Sequence, residues 1–289
     1  MTTIRNKSFS IIMLMPALLL LALLSVFPLV YTLYQSFQDF YLLKPRSTHY
    51  IGWANYLQAV TDPYFGQSLG NTLIFMFSST LGEILIGLLL ALAFASVKKG
   101  HKALRFLILL PNLLPPVTAI LVWQNLLSYQ GVVNRMLHLI GQESYNWLGQ
   151  PGAAMGSLVF IDLWQWSPFC FLMIYTALLA IPKSQYEAAD LEGAQGWLRF
   201  RYIQWPHIRP TIGLLILLRS IDSFRLFDKV NILTKGGPAN TTATISQFIF
   251  QKGIENMHLG YAAAVSVIMT ILVLGLSLPG WRLGLKGES

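Results

Sequence analysis

Ionisable side chains stand inside otherwise apolar stretches of this sequence, where they are costly unless they bind or pair with something. Asp162 lies in FIDLWQWSPF, and Arg219, Asp222, Arg225 and Asp228 recur three residues apart in a later apolar stretch. Positions three apart are neighbours on a helix surface, so these four residues predict one charged stripe that cannot face lipid. Ionisable residues at membrane depth mark solute or ion pathways by default; the alternative is structural pairing among themselves.

The residues around Asp162 favour a sugar as the solute. A pyranose ring has apolar faces that stack on aromatic rings, and its hydroxyls hydrogen-bond to amide and charged groups. Gln165, Trp166 and Phe169 supply that mixture on the same stretch as Asp162. For any single tryptophan, packing in the membrane or at its interface is an equally good interpretation.

The sequence favours a transport protein over an enzyme. It contains no Gly-x-x-x-x-Gly-Lys-[Ser/Thr] phosphate loop and no His-Glu-x-x-His zinc motif, which are signatures of nucleotide hydrolysis and of metalloprotease chemistry. The single cysteine, Cys170, lies in an apolar window and excludes an internal disulfide. We therefore predict that the chain is not an enzyme and holds no metal or cofactor of its own.

The elements that must position these residues are membrane-spanning helices. Of the 289 residues 54% are hydrophobic and 11% are charged, whereas soluble domains carry about 25% charged residues. A bilayer core is crossed by about 20 apolar residues of helix. We predict an all-α membrane protein with a single transmembrane domain over 1–289 and six spans, at 11–34, 71–97, 106–127, 154–180, 211–231 and 261–281. The first span is too long for a signal-peptide core, so we expect it in the mature protein.

The distribution of Lys and Arg predicts the orientation of these spans. With the N-terminus inside, the cytoplasmic segments hold twelve Lys or Arg residues and the opposite side holds five. Cytoplasmic loops carry an excess of these residues, so both termini and the segment 183–206 are expected in the cytoplasm. The net charge of +8 then reflects membrane topology and does not indicate a nucleic-acid partner.

The segment 183–206 is longer than a connector between two spans requires. Its small residues permit close approach to another surface, and Gly193 permits a turn. Pro206 and Pro210 are expected to end its second helix before the fifth span. The pattern predicts a short helix–turn–helix under the membrane, with an ordinary amphipathic connector as the alternative.

The order of residues in this segment resembles the EAA loop of binding-protein-dependent ABC importer permeases. Glu187-Ala188-Ala189 is followed at the family spacing by Gly193, Ile203 and Trp205-Pro206, with Trp205 where the family usually has Leu. Other stretches resemble the sugar-type (MalF-like) branch, namely LPNLLPPVTAILVW at 110–123, LTKGGP at 233–238 and GYAAAVSVIM at 260–269. The resemblance covers nearly the whole chain.

This resemblance implies a type I ABC importer permease fold in which the loop is a coupling helix. The helix would dock on a separate ATP-hydrolysing subunit, with Glu187 in contact across the interface, Ala188 and Ala189 allowing close seating, and Gly193 making the turn. ATP and Mg would belong to that partner. The implied assembly lies in a bacterial or archaeal cytoplasmic membrane and adds a second permease, as a heterodimer, a dimer of ATP-binding subunits and an extracytoplasmic substrate-binding protein.

The resemblance also implies where the solute binds. In the sugar branch, the cavity is lined by the helix that ends at Ala180-Ile181-Pro182 and by the helix before LTKGGP. The expected substrate-binding residues are Asp162, Gln165, Trp166, Phe169, Arg219, Asp222 and Ser223. Glu83, in the second span, is expected to make a contact between helices, with a contact to the solute as the alternative.

Two other functions remain open at this point. The same machine could import glycerol phosphate or another polyol-type solute. A different class of protein, a secondary transporter driven by protons or sodium, could use Asp162, Asp222 and Asp228 as its ion-coupling carboxylates. Inverted internal repeats would support a secondary transporter, and none is visible in the sequence.

Overall fold

The computed structural model describes residues 2–95 and 101–285, and within these ranges the chain is helical with no β-strand. A π-helical segment follows α9 at Phe200–Gln204, and another follows α12 at Gln251–Glu255. The α-helices are α1 (Thr2–Gln35), α2 (Ala54–Thr61), α3 (Pro63–Ala95), α4 (His101–Leu113), α5 (Pro116–Leu126), α6 (Val132–Leu139), α7 (Ala153–Leu179), α8 (Lys183–Leu191), α9 (Trp197–Arg199), α10 (Trp205–Phe224), α11 (Asp228–Leu233), α12 (Ile245–Phe250) and α13 (Leu259–Leu285).

The chain forms two compact units. The smaller unit combines the residues up to Asp62 with Ile249–Ile271. In this unit, the loop after α1 is closed by antiparallel bridges between Gln38 and Tyr50 and between Tyr41 and His258. From Met13 to Tyr34, the large apolar side chains of α1 are exposed, as expected for a helix surrounded by lipid.

The larger unit, Pro63–Phe248 with the residues from Leu272, contains the main apolar core. Its central pair is α3 and α7, and α10 packs against both. Phe171 and Ile174 of α7 and Leu215 of α10 are fully buried in this core. The pair approaches closely at Gly87, where an added Cβ would lie 2.6 Å from the Cβ of Cys170 and 2.7 Å from the backbone nitrogen of Phe171.

Four helical segments in the described chain are long and apolar enough to cross a membrane. They are Met13–Gln35, Pro63–Ala95, Ala153–Leu179 and Leu259–Ser277. They correspond to the first, second, fourth and sixth predicted spans. The second begins eight residues before the predicted start at 71, because the helix extends beyond its apolar part.

The third and fifth predicted spans differ from continuous apolar helices. Residues 106–127 form two helices, α4 and α5, that bend by 92°. The bend lies at Pro115 and Pro116, as expected where proline cannot donate a backbone hydrogen bond. The prediction of 211–231 is wrong at its end because α10 stops at Phe224. Three charged residues, Arg209, Arg219 and Asp222, make α10 more polar than the four apolar spans.

The predicted helix end before the fifth span is also wrong. The chain is helical without interruption from Trp197 to Phe224, and both Pro206 and Pro210 lie inside this run. Pro206 follows directly on a π-helical segment and donates no backbone hydrogen bond to the turn before it. The π-helical segment just before it has a wider hydrogen-bond register, which is a usual way for a helix to absorb such a break.

The close approach at Gly87 predicts a large effect of one methyl group. We expect Gly87→Ala to lower the free energy of unfolding by about 1–3 kcal/mol, because overpacking forces the two backbones apart. Thermal unfolding of the protein in detergent or lipid discs measures this effect. Gly70→Ala is the matched control on the same helix, since no described atom lies within 4 Å of its added Cβ. An equal loss of stability in both variants would contradict the packing argument.

Candidate functional site

A cavity of about 180 Å³ lies where α10 ends and the chain turns into α11. Its wall combines one face of α7 with the last turn of α10 and the beginning of α11. The lining residues are Pro116, Ile120, Asp162, Gln165, Trp166, Arg219, Asp222, Ser223, Arg225, Leu226, Phe227, Asp228 and Lys229. The cavity is therefore rich in ionisable and polar groups although it lies between apolar helices.

The wall is built from side chains at helical spacing. Asp162, Gln165 and Trp166 stand at positions i, i+3 and i+4 of α7, and residues 219, 222 and 223 repeat this spacing on α10. Residues so spaced share one face of a helix. Two periodic patterns thus bring six of the seven predicted substrate-binding residues to one place.

A buried arginine connects three of the helices. The Arg219 side chain is 2% exposed. Its Nε donates to Glu83 Oε2 at 2.6 Å and its Nη2 donates to Glu83 Oε1 at 3.0 Å. This bidentate ion pair between α10 and α3 confirms the expectation that Glu83 makes a contact between helices.

Asp162 joins the same cluster from α7. It accepts a hydrogen bond from Arg219 Nη2 at 3.4 Å and another from the Lys229 ammonium of α11. All four side chains, two cations and two carboxylates, are almost entirely buried. The cluster is therefore balanced in formal charge, as burial of ionised groups requires.

Two polar atoms in the cavity wall have no partner within the described chain. They are Gln165 Oε1 and Ser223 Oγ, and both residues are 2% exposed. A buried polar atom without a hydrogen bond costs free energy. An amide oxygen is an acceptor and a serine hydroxyl can donate or accept, so the pair suits the hydroxyl groups of a bound molecule.

Trp166 contributes an aromatic ring to the cavity wall. Its ring lies over the guanidinium of Arg219, with the Cζ atom 4.3 Å from the ring centroid. Contacts of this kind are favourable because the ring face is electron-rich. Phe169, by contrast, does not belong to the described lining. It contacts Trp166 edge-on at 6.3 Å and packs against the apolar core beside the cavity, so its role in substrate binding stays a prediction.

The predicted charged stripe is interrupted. α10 ends at Phe224, so Arg225 follows the helix end and Asp228 begins a new helix. Asp222 accepts from Arg219 Nη1 at 3.3 Å but keeps 61% of its side chain exposed. Lys229, which adjoins Asp228, was not among the predicted site residues. The sequence predicted one continuous helix here, and such a helix does not direct Lys229 toward Asp162.

The second region singled out by the sequence forms the predicted helix–turn–helix. α8 ends at Leu191, and the turn contains Gly193 at φ +70° and Gly196 at φ +54°. Both values favour glycine. Asp190 and Arg199 form an ion pair across the turn, which links α8 to α9.

This loop presents an unusually apolar surface for a polar segment. Leu191, Trp197 and Tyr202 are 91%, 71% and 73% exposed. A groove of about 480 Å³ lies between the two arms, with Ala188, Ala189 and Ile203 among its walls. Glu187 and Gly193 are exposed as well, whereas Ala189 is buried.

Comparison with known proteins identifies the family. Residues 83–282 match the protein family described as "Binding-protein-dependent transport system inner membrane component". The sulfoquinovosyl glycerol transport system permease protein SmoG of Agrobacterium fabrum is 32% identical, over 92% of this chain and 87% of its own length. The trehalose/maltose transport system permease protein MalF of Thermococcus litoralis is 31% identical, over 97% of this chain and 95% of its own length.

A solved structure supports the same fold. The bacterial alginate ABC transporter, in complex with an alginate pentasaccharide-bound periplasmic protein, contains a chain that superposes with a TM-score of 0.85 at 24% identity. The match covers 96% of this chain and 94% of that chain, which confirms the predicted type I permease fold. The chain belongs to the family of binding-protein-dependent transport system inner membrane components, and it is a multi-pass membrane subunit of an ABC importer.

Proposed function

We propose that this subunit carries a neutral sugar or sugar-like solute through the cavity between α7, α10 and α11. The observation that carries this proposal is the composition of the cavity wall. It offers two aromatic rings, of Trp166 and Phe227, two buried polar atoms that lack partners in the described chain, and buried charges that are already paired. A sugar uses a ring for stacking and several hydroxyls for hydrogen bonds, and this wall supplies both.

The pairing of charges favours a neutral solute over glycerol phosphate. Recognition of a phosphate depends on charge-assisted hydrogen bonds from cations. Arg219 and Lys229 are buried but already donate to carboxylates. The exposed charges at the rim are Asp222, Arg225 and Asp228, which sum to one negative charge. The names of the relatives SmoG and MalF, which specify sulfoquinovosyl glycerol and trehalose/maltose, support a sugar-type solute.

We propose that ATP hydrolysis in a separate dimer of ATP-binding subunits, which hold ATP and Mg, drives transport. The loop 183–206 would couple this subunit to that dimer. The exposed Glu187 and Ala188 would contact that partner, and the small side chain of Ala189, which is buried beneath them, would allow close seating. A second permease would complete a heterodimer, and an extracytoplasmic binding protein would deliver the solute. Both termini would then lie in the cytoplasm, in agreement with the excess of Lys and Arg on that side.

A secondary transporter fits the arrangement less well. Such a transporter needs a carboxylate that binds and releases a proton or sodium ion on each cycle. Asp162 is held by both Lys229 and Arg219. Asp222 and Asp228 lie exposed at the rim, where binding of an ion is not shielded from water.

The coupling role predicts a loss of stimulated ATP hydrolysis without loss of assembly. Glu187→Ala removes the interfacial contact, and Gly193→Pro is incompatible with φ +70°. In the complex reconstituted in lipid, we expect each variant to lower the stimulation of ATPase activity by loaded binding protein about tenfold or more, since a lost charged contact costs about 1.5–3 kcal/mol.

The matched control for the turn is Gly141→Pro. Gly141 also has positive φ, and each of these two glycines donates its backbone N–H to the carbonyl three residues earlier. Glu143→Ala, in the same exposed loop, is the control for Glu187→Ala. If the loop variants keep full stimulation, or if the controls lose as much as the loop variants, the coupling role is wrong.

The stacking role of Trp166 predicts a slower uptake of sugar. Removal of an aromatic contact worth about 0.5–1.5 kcal/mol lowers a rate up to about tenfold. We expect Trp166→Ala to reduce uptake into proteoliposomes to that extent at a saturating concentration of loaded binding protein. Trp164→Ala is the control, because Trp164 packs edge-on against Trp123 at 5.4 Å. Equal effects of both variants would indicate a packing role for Trp166.

A further inference from the structure

Glu83 occupies a special place relative to the cavity. It is fully buried, and it does not belong to the described lining residues. Arg219 does line the cavity, and both oxygens of Glu83 accept hydrogen bonds from it. Glu83 therefore contacts a guanidinium that lines the cavity without lining the cavity itself.

The other carboxylate of the cluster does not compensate Arg219 fully. Asp162 lies 3.4 Å from Arg219 Nη2 and is also the partner of the Lys229 ammonium. Without Glu83, two buried cations would share one buried carboxylate, and Arg219 would keep only the 61%-exposed Asp222 as a further partner. The surplus positive charge would stand at the cavity wall, where the low dielectric strengthens its attraction for an anion.

The surplus charge would also stand at the place where a sugar ring is expected. The guanidinium that Glu83 neutralises is the one against the ring of Trp166, at 4.3 Å from its centroid. A carboxylate or sulfonate on a stacked sugar would then meet a guanidinium whose charge is no longer neutralised by Glu83. In the intact cluster, the donors Nε and Nη2 of Arg219 are both taken by Glu83.

We infer that Glu83 determines the charge class of the solute: by neutralising Arg219 from behind, it makes the cavity select neutral sugars over anionic ones. Asp162 has the same effect on Lys229 from within the cavity. The inference rests on the proposed function, since it concerns the same cavity. It assigns a specificity role to a residue that does not touch the solute.

The test is a change of preference in the permease itself, without the binding protein. The complex, isolated with its partner subunits and placed in lipid discs, is titrated with methyl glucoside and with methyl glucuronide, which differ by a carboxylate at C6. Binding is followed by ligand-observed NMR. We expect Glu83→Gln to raise the affinity for the glucuronide about tenfold, because its carboxylate then lies near a buried cation whose charge is no longer compensated, and to leave glucoside affinity within about twofold.

Three further variants separate this role from a structural one. Glu143→Gln makes the same chemical change at an exposed site and is expected to change neither affinity. Glu83→Gln combined with Arg219→Gln removes the surplus cation and is expected to restore the preference for the neutral sugar. Asp162→Asn leaves a surplus cation by a second route, so it is expected to favour the glucuronide even if Glu83→Gln fails to fold.

The possible failures are distinguishable. If the unaltered complex binds the glucoside but neither single variant gains affinity for the glucuronide, the inference is wrong and the proposed function stands. An equal loss of both ligands in Glu83→Gln and Asp162→Asn would assign the cluster to folding alone and would also overturn the inference. If the unaltered complex binds neither sugar, the proposed cavity is wrong, and the inference falls with it.

Discussion

The ion cluster of Glu83, Asp162, Arg219 and Lys229 is the constraint on which the larger unit depends. Burial of two cations and two carboxylates is expensive, and it is tolerated only when every charge has a well-placed partner. Each of these residues comes from a different helix, α3, α7, α10 or α11. The positions of four helices are therefore fixed at one point by the requirement that no buried charge be left alone.

The packing of α3 against α7 makes this cluster possible. Glu83 and Gly87 stand one turn apart on α3, and the absence of a side chain at Gly87 lets α7 approach to contact distance. Ile84 of the same helix lies in the apolar core. The glycine thus has its effect through geometry: it places the α3 carboxylate where the arginine of α10 reaches it with two nitrogen atoms.

Much of this arrangement could be predicted from the sequence because it follows from periodicity. Long apolar windows gave the positions of four helical spans. The spacing of Asp162, Gln165 and Trp166 gave one wall of the cavity. These features are local, since hydrophobicity and helical register are properties of neighbouring residues.

What could not be predicted depends on where helices end and what lies beyond. Nothing in the sequence around Phe224 marks the end of α10, because Arg225 is neither a glycine nor a proline. Without that end, Lys229 could not be placed opposite Asp162. The position of Phe169 could not be predicted for a related reason: aromatic residues serve the core and the cavity equally well, and the packing of α7 places Phe169 against the core.

The uninterrupted helical run from Trp197 to Phe224 provides a mechanical connection between the loop and the cavity. It begins at the turn that contains Gly193 and Gly196 and ends at residues that line the cavity wall. A continuous helical run connects displacements at its two ends, although Pro206, Pro210 and the π-helical segment are positions where this run can bend. Arg219 lies near the far end of this run and is fixed to α3 by Glu83. Movement of the coupling loop would therefore act first on the ion cluster. The four charges that select the solute would then be displaced in the same conformational change that moves the solute.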